Sequence, residues 1–146
     1  MQTLKYQIEI NAPAEKVWDV LWNEKTYPQW TYFFSPDSVM QTDWKVGGKT
    51  YFTDSGRQNG MVSTISRIQE PEYLVFEHLG ELRDGVEDVD SEKVKVWKGC
   101  QEAYYLEQNE GKTTLKAEVE IDISHKEMMD NGFSKGLEVI KKLSEN

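Results

Sequence analysis

Between Ser124 and Glu145 the apolar residues Met129, Phe133, Leu137, Ile140 and Leu143 recur at three- and four-residue steps, and Gly132 and Gly136 share their stripe. That period describes one face of an α-helix. Just before it, Leu115, Ala117, Val119 and Ile121 alternate with Lys116, Glu118 and Glu120, the period of a strand with one buried face. A long one-faced helix that follows one-faced strands leaves few ways to fold. The apolar side of the sheet and the stripe of the helix have to bury each other. Glycine inside a helix costs about 1 kcal/mol relative to alanine. The two glycines therefore imply either very close helix–sheet contact or space kept for a guest.

The rest of the chain supplies the sheet. Leu4, Tyr6, Ile8 and Ile10 alternate with Lys5, Gln7 and Glu9 and predict a first strand. Pro13 suits the first turn of a helix, where its missing N–H is not needed, and Glu15 favours the positive helix end. Val17, Trp18, Leu21 and Trp22 then form one broad apolar face. Pro28 interrupts any continuation, so residues 23–30 read as a second short helix or tight turn. Strands follow at 48–54 and 60–68, joined through Ser55–Gly56 with Asn59–Gly60 as a competing turn. Another is expected at 72–79. Residues 80–92, dense in Asp and Glu, read as an exposed loop. Residues 100–108 and 113–122 predict a hairpin through Asn109–Glu110–Gly111. Ser124 and Glu127 have capping-box spacing for the last helix.

With 146 residues, the chain is expected to form a single α+β domain spanning 1–146. A net charge of −9 argues against nucleic acid as a partner. No apolar run is long enough for a membrane span, and the alternating N-terminus lacks a signal-peptide core. Cytoplasmic residence is the resulting expectation. One cysteine, Cys100, can make neither an internal disulfide nor a thiolate metal site.

The stretch Ile10–Trp30, "INAPAEKVWDVLWNEKTYPQW", resembles the opening of the START-related SRPBCC superfamily, which has the helix-grip fold. Residues 43–52, 60–78, 97–115 and the terminal "GLEVIKKLSE" extend the likeness. More narrowly, the chain resembles the family of proteins like the activator of the ninety-kilodalton heat-shock chaperone's ATPase. The resemblance implies a curved antiparallel sheet of about seven strands around the C-terminal helix, two short helices after the first strand, and a cavity between sheet and helix. It places Trp18, Trp22, Tyr27 and Trp30 in the short helices that close one end, mainly as packing.

Strand parity and helix face then nominate Tyr51, Met61, Leu74, Phe76, His78, Tyr104, Phe133 and Leu137 as the ligand-binding lining. The expected guest is a small apolar molecule or lipid. A chaperone-partner role is the alternative, and a cyclase- or hydratase-type enzyme in the same cavity is a third. His78 on that face would serve as an acid, a base or a hydrogen-bond donor, or would be a satisfied core residue. Either Tyr104 or Tyr105 should reach the interior. "GGKT" at 47–50 lacks the earlier glycine of a phosphate loop. The acidic 88–92 stretch lacks the glycine and glutamate of a calcium loop. No catalytic residue, metal or cofactor is assigned, and the oligomeric state stays open.

Overall fold

The computed structural model describes Met1–Asn146. Strand β1, Gln2–Ile10, leads into two short helices, α1 (Ala14–Trp22) and α2 (Tyr27–Thr31). Strands β2 (Val39–Thr42), β3 (Lys49–Thr53), β4 (Gly60–Gln69), β5 (Tyr73–Arg83) and β6 (Val86–Asp88) follow. A four-residue helix α3 (Glu92–Lys95), strands β7 (Gln101–Asn109) and β8 (Lys112–Ile121), and the long helix α4 (Lys126–Glu145) complete the chain. The seven-strand path β1-β8-β7-β5-β4-β3-β2 is antiparallel throughout, and β6 adds an eighth strand as a flap on β5. This is the helix-grip arrangement.

Register decides which side chains meet the core. Leu4 lies opposite Val119, Tyr6 opposite Ala117 and Ile8 opposite Leu115, while Tyr104 pairs with both Ala117 and Leu74. The inner face so formed joins α1, α2 and α4 in a core of 22 buried residues. Trp22 is its hub. Its ring centroid lies 5.0 Å from Tyr104, 5.7 Å from Phe76 and 6.4 Å from both Tyr27 and Trp30. The Tyr104, Phe76 and Trp30 pairs are edge-to-face and the Tyr27 pair is stacked, and such aromatic pairs add about 0.5–1.5 kcal/mol each beyond the area they bury. The aromatic crowding of α1 and α2 is thus chiefly the packing that closes the grip. Val62, Val75, Leu82, Val94 and Ala103 are buried outside that cluster, and α3 lies against β5.

Several local expectations change. Residues 80–92 are not a free loop, because β5 continues to Arg83 and β6 returns along it. Asp84 and Gly85 turn the chain with φ of 49° and 78°, the left-handed pair that fits a two-residue hairpin. The acidic density there concealed an ordinary Asp-Gly turn. Asp88 accepts the amides of Asp90 and Ser91, and the Ser91 hydroxyl accepts from Val94 to cap α3. These carboxylate and hydroxyl oxygens hold backbone. Strand β2, which the sequence reading missed, pairs Met40 with Phe52.

The capping box at Ser124 and Glu127 does not form. Asp122 accepts the Ser124 amide at 2.9 Å and starts a 3₁₀ turn, Ile123–His125, that feeds α4. The carboxylate two residues earlier reaches the free donor first. Gly132 and Gly136 do serve close contact, but against α2 and the residues after it. A Cβ on Gly136 would stand 2.8 Å from the Trp30 carbonyl oxygen, and one on Gly132 2.4 Å from the Phe34 ring. Neither glycine opens space for a guest.

Candidate functional site

A cavity of about 490 Å³ lies between the α2 region, the inner sheet face and α4. Such a volume falls within the roughly 300–1,000 Å³ of small-molecule sites. Tyr27, Trp30 and Phe34 form one wall, Met129 and Phe133 of α4 another, and Phe52, Met61, Tyr104 and Val119 the sheet side. Ser35, Asn59 and Gly60 are the exposed part of the lining and mark the mouth. The mouth side is ordered by Asp54, whose carboxylate accepts the Gln58 amide at 3.0 Å. That bond and further ones from Asn59 and Arg57 hold the Asp54 carboxyl below the usual carboxylate range.

One acid sits deep in this apolar surface. Glu102 lies two residues before Tyr104 on β7 and therefore shares its inward face, opposite Val119 and Phe76. Its side chain keeps 25% of its surface accessible and borders the cavity. Burying a carboxylate is costly unless hydrogen bonds compensate. Here the Tyr104 hydroxyl donates to Oε2, and His78 Nε2 stands 3.4 Å from Oε1. Behind it, His78 Nδ1 is 2.7 Å from the buried Ser63 hydroxyl. The His78 ring thus stands between the Ser63 hydroxyl and the Glu102 carboxylate, one ring nitrogen turned to each.

The electrostatics follow from this packing. Burial pushes the Glu102 carboxyl up, but the hydrogen bond and charge of His78, with the Tyr104 hydroxyl, leave it below its ordinary value. Burial first, and then the Glu102 charge, pushes the Tyr104 phenol well up. The same two causes raise Tyr27. The site therefore offers a carboxylate among protonated phenols. Ser63, His78 and Glu102 have the residue types of a hydrolytic triad, yet Ser63 is fully buried and absent from the cavity wall. A nucleophile has to touch its substrate, so this serine is a buried hydrogen-bond partner. Cys100 is no better placed, since burial and then Glu120 push its thiol up.

Of the eight residues nominated by parity, Met61, Tyr104 and Phe133 line the cavity. His78 reaches it only through Glu102. Leu74, Phe76 and Leu137 are buried in the core and do not form its wall. Tyr51 requires the plainest correction. It pairs with Val62, and its hydroxyl donates to exposed Glu87 at 2.7 Å, while Phe52 takes the inward position. The parity of β3 was assigned one residue out of phase. Glu102 was missed altogether, although its phase with Tyr104 and Leu106 was visible.

Fold and site together define a helix-grip domain holding an aromatic cavity with a half-buried acid, Glu102, in its wall. The chain belongs to the family described as Activator of Hsp90 ATPase homolog 1-like protein, whose model matches residues 11–145. The structure resembles one of an Aha1 dimer from Colwellia psychrerythraea, with 16% identity, TM-score 0.69, and 99% of this chain and 97% of that one covered. Protein CV1439 from Chromobacterium violaceum matches with 17% identity and TM-score 0.68, covering 100% and 99% of the two chains. CalU16 from Micromonospora echinospora matches with 15% identity and TM-score 0.66, covering 97% and 75%. Likeness at these identities carries the fold. No curated protein matches the chain by sequence.

Proposed function

We propose that this domain binds one small, largely apolar molecule in the cavity between α2, the sheet and α4. The observation that carries this reading is the combination of about 490 Å³ of space with a mostly apolar lining and a few convergent polar groups, the usual composition of a ligand site. Met61 and Met129 lend the walls adaptable, polarisable side chains. The single cysteine suits a reducing compartment such as the cytoplasm, and no helix is long and apolar enough to cross a membrane.

Nile red, a neutral apolar dye, tests the reading directly. One dye per chain should bind with blue-shifted emission, and Met61→Trp, which places an indole in the cavity, should abolish the signal without loss of fold by circular dichroism. Dye binding that is absent, or unchanged in Met61→Trp, would remove the proposal.

Family membership favours a second reading, contact with a heat-shock chaperone. A chaperone ATPase rate unchanged by a saturating excess of this protein would exclude activation of that kind.

A further inference from the structure

Resting on the cavity being a binding site, its wall chemistry narrows the guest further. Two acids, Asp54 and Glu102, line the cavity, and no lysine, arginine or histidine does. A fatty acid or other anion would meet carboxylates and no cationic side chain on the cavity wall. Asp54 is committed to the amides of its own loop. Glu102 is not so committed, because an ionised carboxylate has about four acceptor positions and only Tyr104 and His78 approach it. Glu102 is part of the cavity wall, and a quarter of its side chain is accessible. Around it stand aromatic rings, including Tyr27, Trp30, Phe52 and Tyr104. Ring faces attract cations through their quadrupoles, and more strongly where water is displaced.

We propose that the cavity selects an apolar amine, its protonated nitrogen seated against the Glu102 carboxylate and among these aromatic faces. The ammonium fills the acceptor positions that Tyr104 and His78 leave free, and the apolar body fills the space toward Val119, Met129 and Phe133. His78, behind Glu102 and off the cavity wall, is the one cationisable side chain that faces the carboxylate. The Tyr104 and Tyr27 phenols carry no countercharge. A neutral alcohol of the same shape gains the hydrogen bond but not the charge.

Calorimetric titration with naphthylethylamine, naphthylethanol and naphthylacetate at pH 8, where an alkylamine is protonated and a carboxylic acid ionised, separates these cases. The amine should bind at least about tenfold more tightly than the alcohol, given a charge-assisted bond and cation–π contact. The acetate should bind most weakly. Glu102→Gln should remove the amine preference and retain the alcohol. An alcohol or acetate that matches the amine on the wild-type protein overturns the proposal, with no reliance on the variant. If all three fail while Nile red binds, the amine proposal falls and the cavity reading stands. If Nile red fails too, both fall.

Discussion

Replacing Gly136 by alanine sets two known effects against each other. Alanine in place of a helical glycine gains about 1 kcal/mol of helix propensity. Its new Cβ would lie 2.8 Å from the backbone oxygen of Trp30, against the 3.4 Å at which ordinary contact begins. Backbone cannot rotate away, and the Trp30 indole is anchored by its 3.0 Å bond to the Leu21 carbonyl. α2 and α4 must therefore move apart in a packed region, and overpacking of that kind costs about 1–3 kcal/mol. The net expectation is about 0–2 kcal/mol of destabilisation. Urea unfolding followed by tryptophan fluorescence reads this as a fall in midpoint of up to roughly 1 M, for a slope of about 2 kcal/mol/M. Gly132→Ala is the internal comparison. The three atoms nearest its Cβ all belong to the ring of Phe34, a half-buried side chain that borders the cavity and can turn toward it. Its stability should change less than that of Gly136→Ala, while Nile red affinity falls as the cavity shrinks. A Gly136→Ala protein stabilised by the full propensity gain would refute the close-contact reasoning.

The acid limb of stability should depend on Glu102. Its folded-state carboxyl lies below the ordinary 4.5, so its contribution is complete above that pH and is lost as pH falls through the folded value. The stability difference between wild type and Glu102→Gln, measured by urea melts from pH 7 to pH 3, should therefore shrink below about pH 4.5; a constant difference would refute the assignment. At the start of α4, Asp122→Ala should lower the thermal midpoint more than Ser124→Ala, because Asp122 carries the cap. The reverse order would restore the capping box.

Local signals that obey one rule were legible in the chain. The Asn109–Glu110–Gly111 turn appears where it was read, with Glu110 and Gly111 at φ of 53° and 81°, because a tight turn is a property of a few adjacent residues. The strand β1, the apolar face of α1 and the stripe of α4 follow from periodicity for the same reason. Signals that compete locally were not legible. Acidic density outweighed the Asp84–Gly85 turn, and two oxygens close in sequence, those of Asp122 and Ser124, contended for the start of one helix.

Periodicity along the chain required a one-faced sheet and a one-faced helix to cover each other, and the matching family pattern carried the helix-grip fold. Periodicity assigns a residue to a face but does not say what stands opposite it. Only the tertiary structure decided that Gly132 and Gly136 admit Phe34 and Trp30 rather than the sheet or a guest. It alone placed Phe52 inward and Tyr51 outward, since register depends on pairing across strands. It also brought Ser63, His78, Glu102 and Tyr104 together from three strands. A buried carboxylate is tolerable only where donors converge on it, and convergence is a property of the assembled fold.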